Sequence, residues 1–332
     1  MKSDVIVKKK RLEVHSHLFS SFRFEIKRDV HRGLTSSQKF IPSKYFYDSR
    51  GSGLFEKICT LPEYYPTRTE MSILKHATPE IMRSFSFGDL VELGSGANWK
   101  IRMFLDASLD SGLKYIRYVP VDVSESALKT ASEELLKIYP QLEVFGIVAD
   151  FTIHMDAIPA DRPRLIFFLG STIGNFNAKE CVAFLGSVAG SMNSDDRLII
   201  GFDLLKPREA IEAAYNDTRG VTSEFNKNIL NVVNRELDAN FDPSHFRHLA
   251  FFNEKKERVE MHLEARRDIT ISIKALDLTV ELAKDETIHT EVCRKFSRKK
   301  VIEMADEAGL KIQKWFSDSR GWFAVSELIL KD

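Results

Sequence analysis

From Asp89 to Asp203 the chain alternates short apolar runs, nearly free of charge, with stretches patterned for helices, and few folds accept that rhythm. Asp89–Leu93 reads as a strand ending in Gly94-Ser95-Gly96, with a helix following through Ile101, Phe104 and Leu105. Tyr115–Val123 is a second strand, closed by Asp122. Ser124 then caps a helix whose apolar positions, Ala127, Leu128, Ala131, Leu135 and Leu136, fall at helical spacing. Leu142–Val148 is a third strand, ending at Asp150-Phe151. Leu165–Leu169 is a fourth, uncharged as expected of a strand covered on both faces. Asn177 and Glu180 have capping-box spacing ahead of the next helix, and Arg197–Asp203 is a fifth strand. The pattern predicts a parallel sheet with helices on both sides.

The flanks read differently. Up to about Phe40 the chain is predicted mainly helical, with Leu12, Phe19, Phe22, Phe24 and Ile26 as scattered apolar anchors. Ile41 to Thr69 is crowded with aromatics, glycines and prolines; Pro62 and Pro66 limit helix there, and such loops usually pack a lid or an interface. Pro207 to Lys284 breaks the βα rhythm, with a helix over Thr222–Leu237 and strands over Arg258–Leu263 and Ile269–Ile273, so it reads as an insertion. Ser297 caps a helix over Arg298–Ala308, with Gly309 at C′. Lys311–Phe316 and Trp322–Leu330 form a closing hairpin. A doubly wound α/β sheet finished by an antiparallel hairpin is the outline of the S-adenosylmethionine (SAM) methyltransferase fold.

Composition removes several function classes. Basic and acidic residues balance at 48 each, so no global field recruits nucleic acid or an anionic membrane. No apolar run approaches the ~20 residues needed to span a bilayer. Met1–Val7 lacks an apolar signal core, and Lys8-Lys9-Lys10-Arg11 reads as a solvated tail or helix face. Cys59, Cys181 and Cys293 are odd in number and widely separated, which fits a reducing, cytoplasmic compartment. His245 and His248 have no evident third ligand, so no metal site is expected.

Ligands of open α/β sheets sit beyond the carboxyl ends of the strands, where strand order reverses. Gly94 and Gly96 allow a sharp turn and close ligand approach. A dinucleotide fingerprint needs a third glycine where Trp99 stands, so a ligand without pyrophosphate, such as SAM, fits better. Asp122 ends the second strand, where a carboxylate can accept both ribose hydroxyls. Asp150 offers an acceptor for the adenine amino group, and Phe151 a ring for its face.

Longer motifs are more particular. Tyr45-Phe46-Tyr47-Asp48, Gly51-Ser52-Gly53-Leu54-Phe55, Leu61-Pro62-Glu63-Tyr64-Tyr65-Pro66-Thr67-Arg68, Leu169-Gly170-Ser171-Thr172-Ile173-Gly174-Asn175 and Ala275-Leu276-Asp277-Leu278-Thr279-Val280 resemble the L-histidine Nα-methyltransferases of ergothioneine biosynthesis, from about Phe24 to the C-terminus. The resemblance implies three methylations of the histidine α-amine, giving hercynine. It also implies a substrate-binding domain built from residues 1–67 and 206–294 around a methyltransferase core of 68–205 and 295–332. By the same resemblance Gly94, Lys100, Asp122, Asp150 and Phe151 contact SAM, and Asn175 and Tyr215 hold the substrate carboxylate. Tyr47, Phe55, Tyr64 and Gly170 line the amine, with Tyr47 and Tyr64 placed to act on its proton. Met261 and Glu291 flank the side chain; Cys293 stands where the family has a serine, and a thiol is a weaker hydrogen-bonding group. The partner expected is a free amino acid, acting on a monomer.

On the residues alone, other readings stand. Tyr47, Tyr64 and Tyr65 can be junction packing, Asn175 a turn residue, Glu291 a solvated strand residue, and Tyr215 a helix-end packing residue. A nicotinamide oxidoreductase would share the sheet and Asp122, and a non-catalytic module would keep the fold. Within the enzyme class, the alternative acceptor is another aromatic amino acid such as tryptophan.

Overall fold

Val91 and Ile166 point to one face of their strands and Leu90 and Leu165 to the other, and all four are buried, so both faces of the sheet they form must be covered. A computed structural model of the chain describes residues 11–17, 22–83, 85, 87–96, 98–110, 112 and 116–331. In chain order come β1 (Leu12–Ser16), α1 (Phe22–Leu34), α2 (Ser49–Cys59), α3 (Tyr65–Arg83), β2 (Asp89–Leu93), α4 (Trp99–Asp110) and β3 (Ile116–Asp122). Then follow α5 (Glu125–Ile138), β4 (Leu142–Val148), β5 (Arg164–Phe168), α6 (Ala178–Ser191), β6 (Arg197–Asp203), α7 (Arg208–Tyr215) and α8 (Val221–Leu237). The rest is β7 (Phe246–Asn253), β8 (Arg258–Ala265), β9 (Ile269–Ile273), β10 (Leu278–Leu282), β11 (Thr287–Arg294), α9 (Arg298–Glu307), β12 (Leu310–Ser317) and β13 (Phe323–Leu330).

Eight strands form one sheet in the order β1-β4-β3-β2-β5-β6-β13-β12. The first six run parallel; β13 and β12 close the sheet antiparallel as a hairpin. Strand order reverses between β2 and β5, so their carboxyl ends, at Gly94 and Leu169, open the crevice expected to take a ligand. A separate core gathers α1, α2, α8 and two small antiparallel sheets, β11-β8-β7 and β10-β9, through Ile26, Phe46, Leu54, Ile229, Met261 and Ile288. Among the described residues no helix is long and apolar enough to cross a membrane.

Two stretches differ from the sequence reading. The segment before Phe40 is not helical throughout: β1 pairs parallel with β4, which also moves residues 12–16 out of the expected 1–67 substrate-binding part and into the main sheet. Leu12 and Val14 alternate with exposed neighbours, a strand period too short to stand out. The stretch expected to limit helix instead holds α2 and the start of α3. Asp48 caps α2 by accepting the Gly51 N–H at 2.8 Å, and Gly51 is required there because a Cβ would lie 1.7 Å from the Phe46 carbonyl oxygen. Pro66 falls in the first turn of α3, where a missing N–H costs nothing. Lys8–Lys10, Phe19 and Tyr115 lie outside the described residues.

Candidate active site

The first half of the site is made by strand ends. Gly94 turns with φ +75°, its N–H donated to the Val121 carbonyl at 2.8 Å, and a Cβ at Gly96 would meet nothing nearer than 3.9 Å. At the next strand end, Asp122 accepts the Ser124 N–H at 2.9 Å. Burial raises its pKa, against the backbone N–H groups of Ser124, Val123 and Ser95. Asp150 uses Oδ1 to accept from the Thr152 N–H and hydroxyl at 2.8 and 2.6 Å. The Phe151 ring faces the bare Gly94 backbone and packs on Phe168 with centroids 5.4 Å apart. An open glycine cradle, a carboxylate and a ring at three successive strand ends fit SAM. Gly94 and Gly96 would take its amino-acid part, Asp122 its ribose, and Asp150 and Phe151 its adenine.

Lys100, in the first turn of α4, points across the crevice. Its Nζ is 2.5 Å from Glu70 Oε2, a carboxylate with no exposure at all, whose Oε1 accepts the Gly170 N–H at 2.7 Å. Gly170 has φ +81°, and a Cβ there would lie 3.1 Å from the Lys100 ammonium. Glu70 thus ties a cofactor-side lysine to a substrate-side loop. Sequence reasoning missed it; the only signal was its place two residues beyond the Tyr64–Arg68 motif.

The second half is an aromatic box. Ring centroids run Tyr47 to Phe55 at 5.7 Å, Phe55 to Tyr64 at 6.3 Å and Tyr64 to Tyr215 at 6.4 Å. Tyr47 keeps 41% of its surface exposed, as a residue bordering an open recess should, and no described residue bonds the Tyr47 or Tyr64 hydroxyl. Loss of solvent pushes the Tyr64 phenol above its ordinary pKa, and both phenols are protonated at neutral pH. Met261 on β8 pairs in register with Glu291 on β11, so the two side chains share a face. Burial pushes Glu291 up to about 7, with Lys295 opposing.

Asn175 ends a 3-10 turn that begins after Ser171, itself at φ +57°. That turn rests on β11, where a Gly174 Cβ would approach the Arg294 carbonyl oxygen to 3.0 Å, so Asn175 is carried beside the strand bearing Glu291 and Cys293. The Asn175 amide has no hydrogen-bond partner among the described residues. Tyr215 ends α7, and its hydroxyl donates to Cys293 Sγ at 2.8 Å while accepting from Lys295 Nζ at 2.9 Å. Lys295 continues the every-second-residue row of Glu291 and Cys293, a signal that could have found it. His245 and His248 diverge: His245 faces Asp242 and Arg267, whereas His248 bridges Asn226 and the Tyr215 carbonyl.

The structure therefore sets the first group at the carboxyl ends of β2, β3 and β4 and ties the second to those of β5 and β6, through Gly170 and Asn175 after β5 and through Lys295 on Asp203. A family model described as a SAM-dependent, histidine-specific methyltransferase matches residues 26–329. A histidine N-alpha-methyltransferase of Mycolicibacterium smegmatis is 44% identical over 91% of this chain and 94% of its own. One of Mycobacterium tuberculosis is 41% identical over 95% of this chain and 98% of its own. Ergothioneine biosynthesis protein 1 of Schizosaccharomyces pombe is 31% identical, over 70% of this chain and 31% of its own.

Proposed function

The chain belongs to the family of histidine-specific, SAM-dependent methyltransferases, and on that premise we propose that it methylates the α-amino nitrogen of free L-histidine three times, giving hercynine for ergothioneine biosynthesis. The observation that carries the choice of histidine is the register pair of Glu291 and Met261. It offers a half-buried carboxyl to accept an imidazole N–H and, in Met261, a buried apolar wall for the ring. An indole offers an N–H and a larger apolar body but no lone-pair nitrogen. A neutral imidazole offers both an N–H and an acceptor nitrogen, so a carboxyl can pair with it whether ionised or protonated.

The roles follow from chemistry and placement. Bound SAM supplies a methyl group on a sulfonium sulfur. The residues of this chain hold the acceptor in line with it, which is where most of the acceleration in a displacement of this kind arises. Asn175 and Tyr215 are assigned to the substrate carboxylate. Tyr47 and Tyr64, as neutral phenols, orient the amine by hydrogen bonds and hand its proton to water. The box of Tyr47, Phe55, Tyr64 and Tyr215 also suits what accumulates. Each methylation moves the nitrogen toward a quaternary ammonium, and aromatic faces favour such a cation by about 0.5–2 kcal/mol.

We assign residues 206–294, together with the segment from α1 to the start of α3, to substrate binding, and the main sheet to SAM. The protein is proposed to act as a monomer on a free amino acid. The three unpaired cysteines, Cys59 and Cys181 buried among them, suit a reducing cytoplasm. The test is SAM turnover against the twenty amino acids with histamine added. Histidine is expected to be used best and histamine, lacking the carboxylate, little or not at all; turnover of histamine at the histidine rate would overturn the assignment.

A further inference from the structure

Tyr215 is held by charge as well as by packing. Lys295, 1% exposed, places its ammonium 2.9 Å from the Tyr215 hydroxyl oxygen and 2.7 Å from Asp203 Oδ2. Asp203 ends β6 and is shared: Lys206 pairs with its other oxygen, and the Tyr65 hydroxyl donates to it at 2.8 Å. Burial opposes the charges of Asp203 and Lys295, but each is outweighed by its partner, so Asp203 stays ionised and Lys295 stays protonated. Burial lowers Lys206 to about 8, which still leaves it mostly charged at neutral pH. Two ammonium groups thus flank the single Asp203 carboxylate beneath Tyr215, and it is the Lys295 ammonium that touches the Tyr215 hydroxyl. Glu291, Cys293, Tyr64 and Tyr65 are the other titratable groups acting on Tyr215, and Asp318 acts on Lys206. Burial favours the neutral form of the thiol and the phenols, while Glu291, pushed up to about 7, is partly ionised at neutral pH.

An ammonium can only donate. Lys295 therefore occupies a lone pair of the Tyr215 oxygen and obliges the phenolic proton to point elsewhere, at present toward Cys293 Sγ. A thiol is a weak acceptor, easily exchanged for a carboxylate. A carboxylate buried between the neutral donors Asn175 and Tyr215 also needs a countercharge. We propose that Lys295, backed by Asp203 and Lys206, is a positioning residue for the amino-acid carboxylate. It fixes Tyr215 as a donor into the site and supplies, through that hydroxyl, the positive charge the substrate anion requires. This rests on the assignment of Tyr215 and Asn175 to the carboxylate.

The test compares L-histidine with L-histidinamide, whose carboxamide is neutral, as acceptors for the wild-type protein, Lys295→Met and Lys295→Arg, with SAM affinity by calorimetry as the check on folding. The wild type is expected to prefer histidine strongly. Lys295→Met is expected to lose ~10-fold or more of that preference in kcat/KM, through a raised KM for histidine, with SAM affinity unchanged, while Lys295→Arg keeps most of it. A purely structural lesion would lower both acceptors alike. An undiminished preference in Lys295→Met overturns the inference and leaves the carboxylate assignment standing. A wild-type protein that fails to distinguish histidine from its amide overturns that assignment itself. Should Lys295→Met not bind SAM, the preference ratio of Lys295→Gln decides the question by the same two outcomes.

Discussion

Glu70 joins the two halves of the site with one side chain, and no local pattern in α3 marks it as different from a helix-face glutamate. Its neighbours are built around it: a Cβ at Gly201 would come within 2.3 Å of its Oε1. Replacing it with glutamine preserves its shape and its acceptor for the Gly170 N–H but removes the charge opposite Lys100. Glu70→Gln is expected to cut SAM affinity or kcat by about tenfold with the melting temperature nearly unchanged; wild-type kinetics and affinity together would deny it a role. Asp122 is a simpler case. Charge-assisted hydrogen bonds contribute roughly 1.5–3 kcal/mol each, so Asp122→Ala is expected to weaken SAM binding at least about tenfold in calorimetry. Glu291 carries a pH signature. Burial lifts its carboxyl from an ordinary 4.5 to about 7, so between those values the folded protein keeps a proton that the unfolded chain has released. Its contribution to stability is full below about 4.5 and lost as pH rises through about 7. Without substrate, Glu291→Gln should melt ~2 °C or more higher than wild type at pH 8, with no such gain near pH 4. Equal gains at both values would show that the carboxyl is not strained by burial.

At the scale of elements, the aim of β11 depends on one irregularity. Its register with β8 shifts between His289 and Glu291, leaving Thr290 in the bulge. The Thr290 hydroxyl, 2% exposed, donates to Asn226 Oδ1 at 2.7 Å, and Asn226 Nδ2 donates to the His262 carbonyl at 3.0 Å and to His248 Nδ1 at 2.9 Å. Burial lowers the pKa of His248, so its ring is neutral; with Nδ1 accepting, Nε2–H donates to the Tyr215 carbonyl. One buried network therefore sets both Glu291 and Tyr215. Thr290→Val leaves Asn226 Oδ1 unpaired, which costs about 1–3 kcal/mol. Scanning calorimetry should record the lower melting temperature, and kinetics a higher KM for histidine at unchanged SAM affinity. The parallel strands were legible in the sequence because burial on both faces leaves them mostly apolar, with few charges inside the run: β4 and β6 have the expected limits, and the Asn177–Glu180 capping box is formed. β1 was not, being five residues on a sheet edge, and α2 was hidden by Gly51 and Gly53, of which Gly51 serves a close contact with Phe46. Nor was the bulge at Thr290, since it answers to Asn226, 64 residues earlier. Strand-end residues such as Asp122 could be found locally. Glu70 and the pairing of Asp203 could not, because each acts through partners distant in sequence, whereas Lys295 lay in the alternating row of Glu291 and Cys293.

At the scale of the molecule, two hydrophobic cores meet along the crevice above the sheet. One presents strand ends suited to SAM, and the other presents aromatic rings and the Glu291 carboxyl. Neither alone could position an amine against a methyl donor, and the residues between them, Glu70, Asp203 and Lys295, are buried and charged. On the proposed assignment, that arrangement would favour a small zwitterion with a polar ring. Tryptophan is accordingly expected to be a poorer substrate than histidine, and Glu291→Ala to lower histidine turnover by ~10-fold or more while narrowing that gap. The most direct measurement is product analysis after exhaustive turnover of L-histidine with SAM, with mass spectrometry counting the methyl groups and NMR locating them. Three methyl groups on the α-nitrogen, with none on the imidazole, are expected. A methyl group on a ring nitrogen, or a product that stops at one methyl with SAM still in excess, would contradict the account.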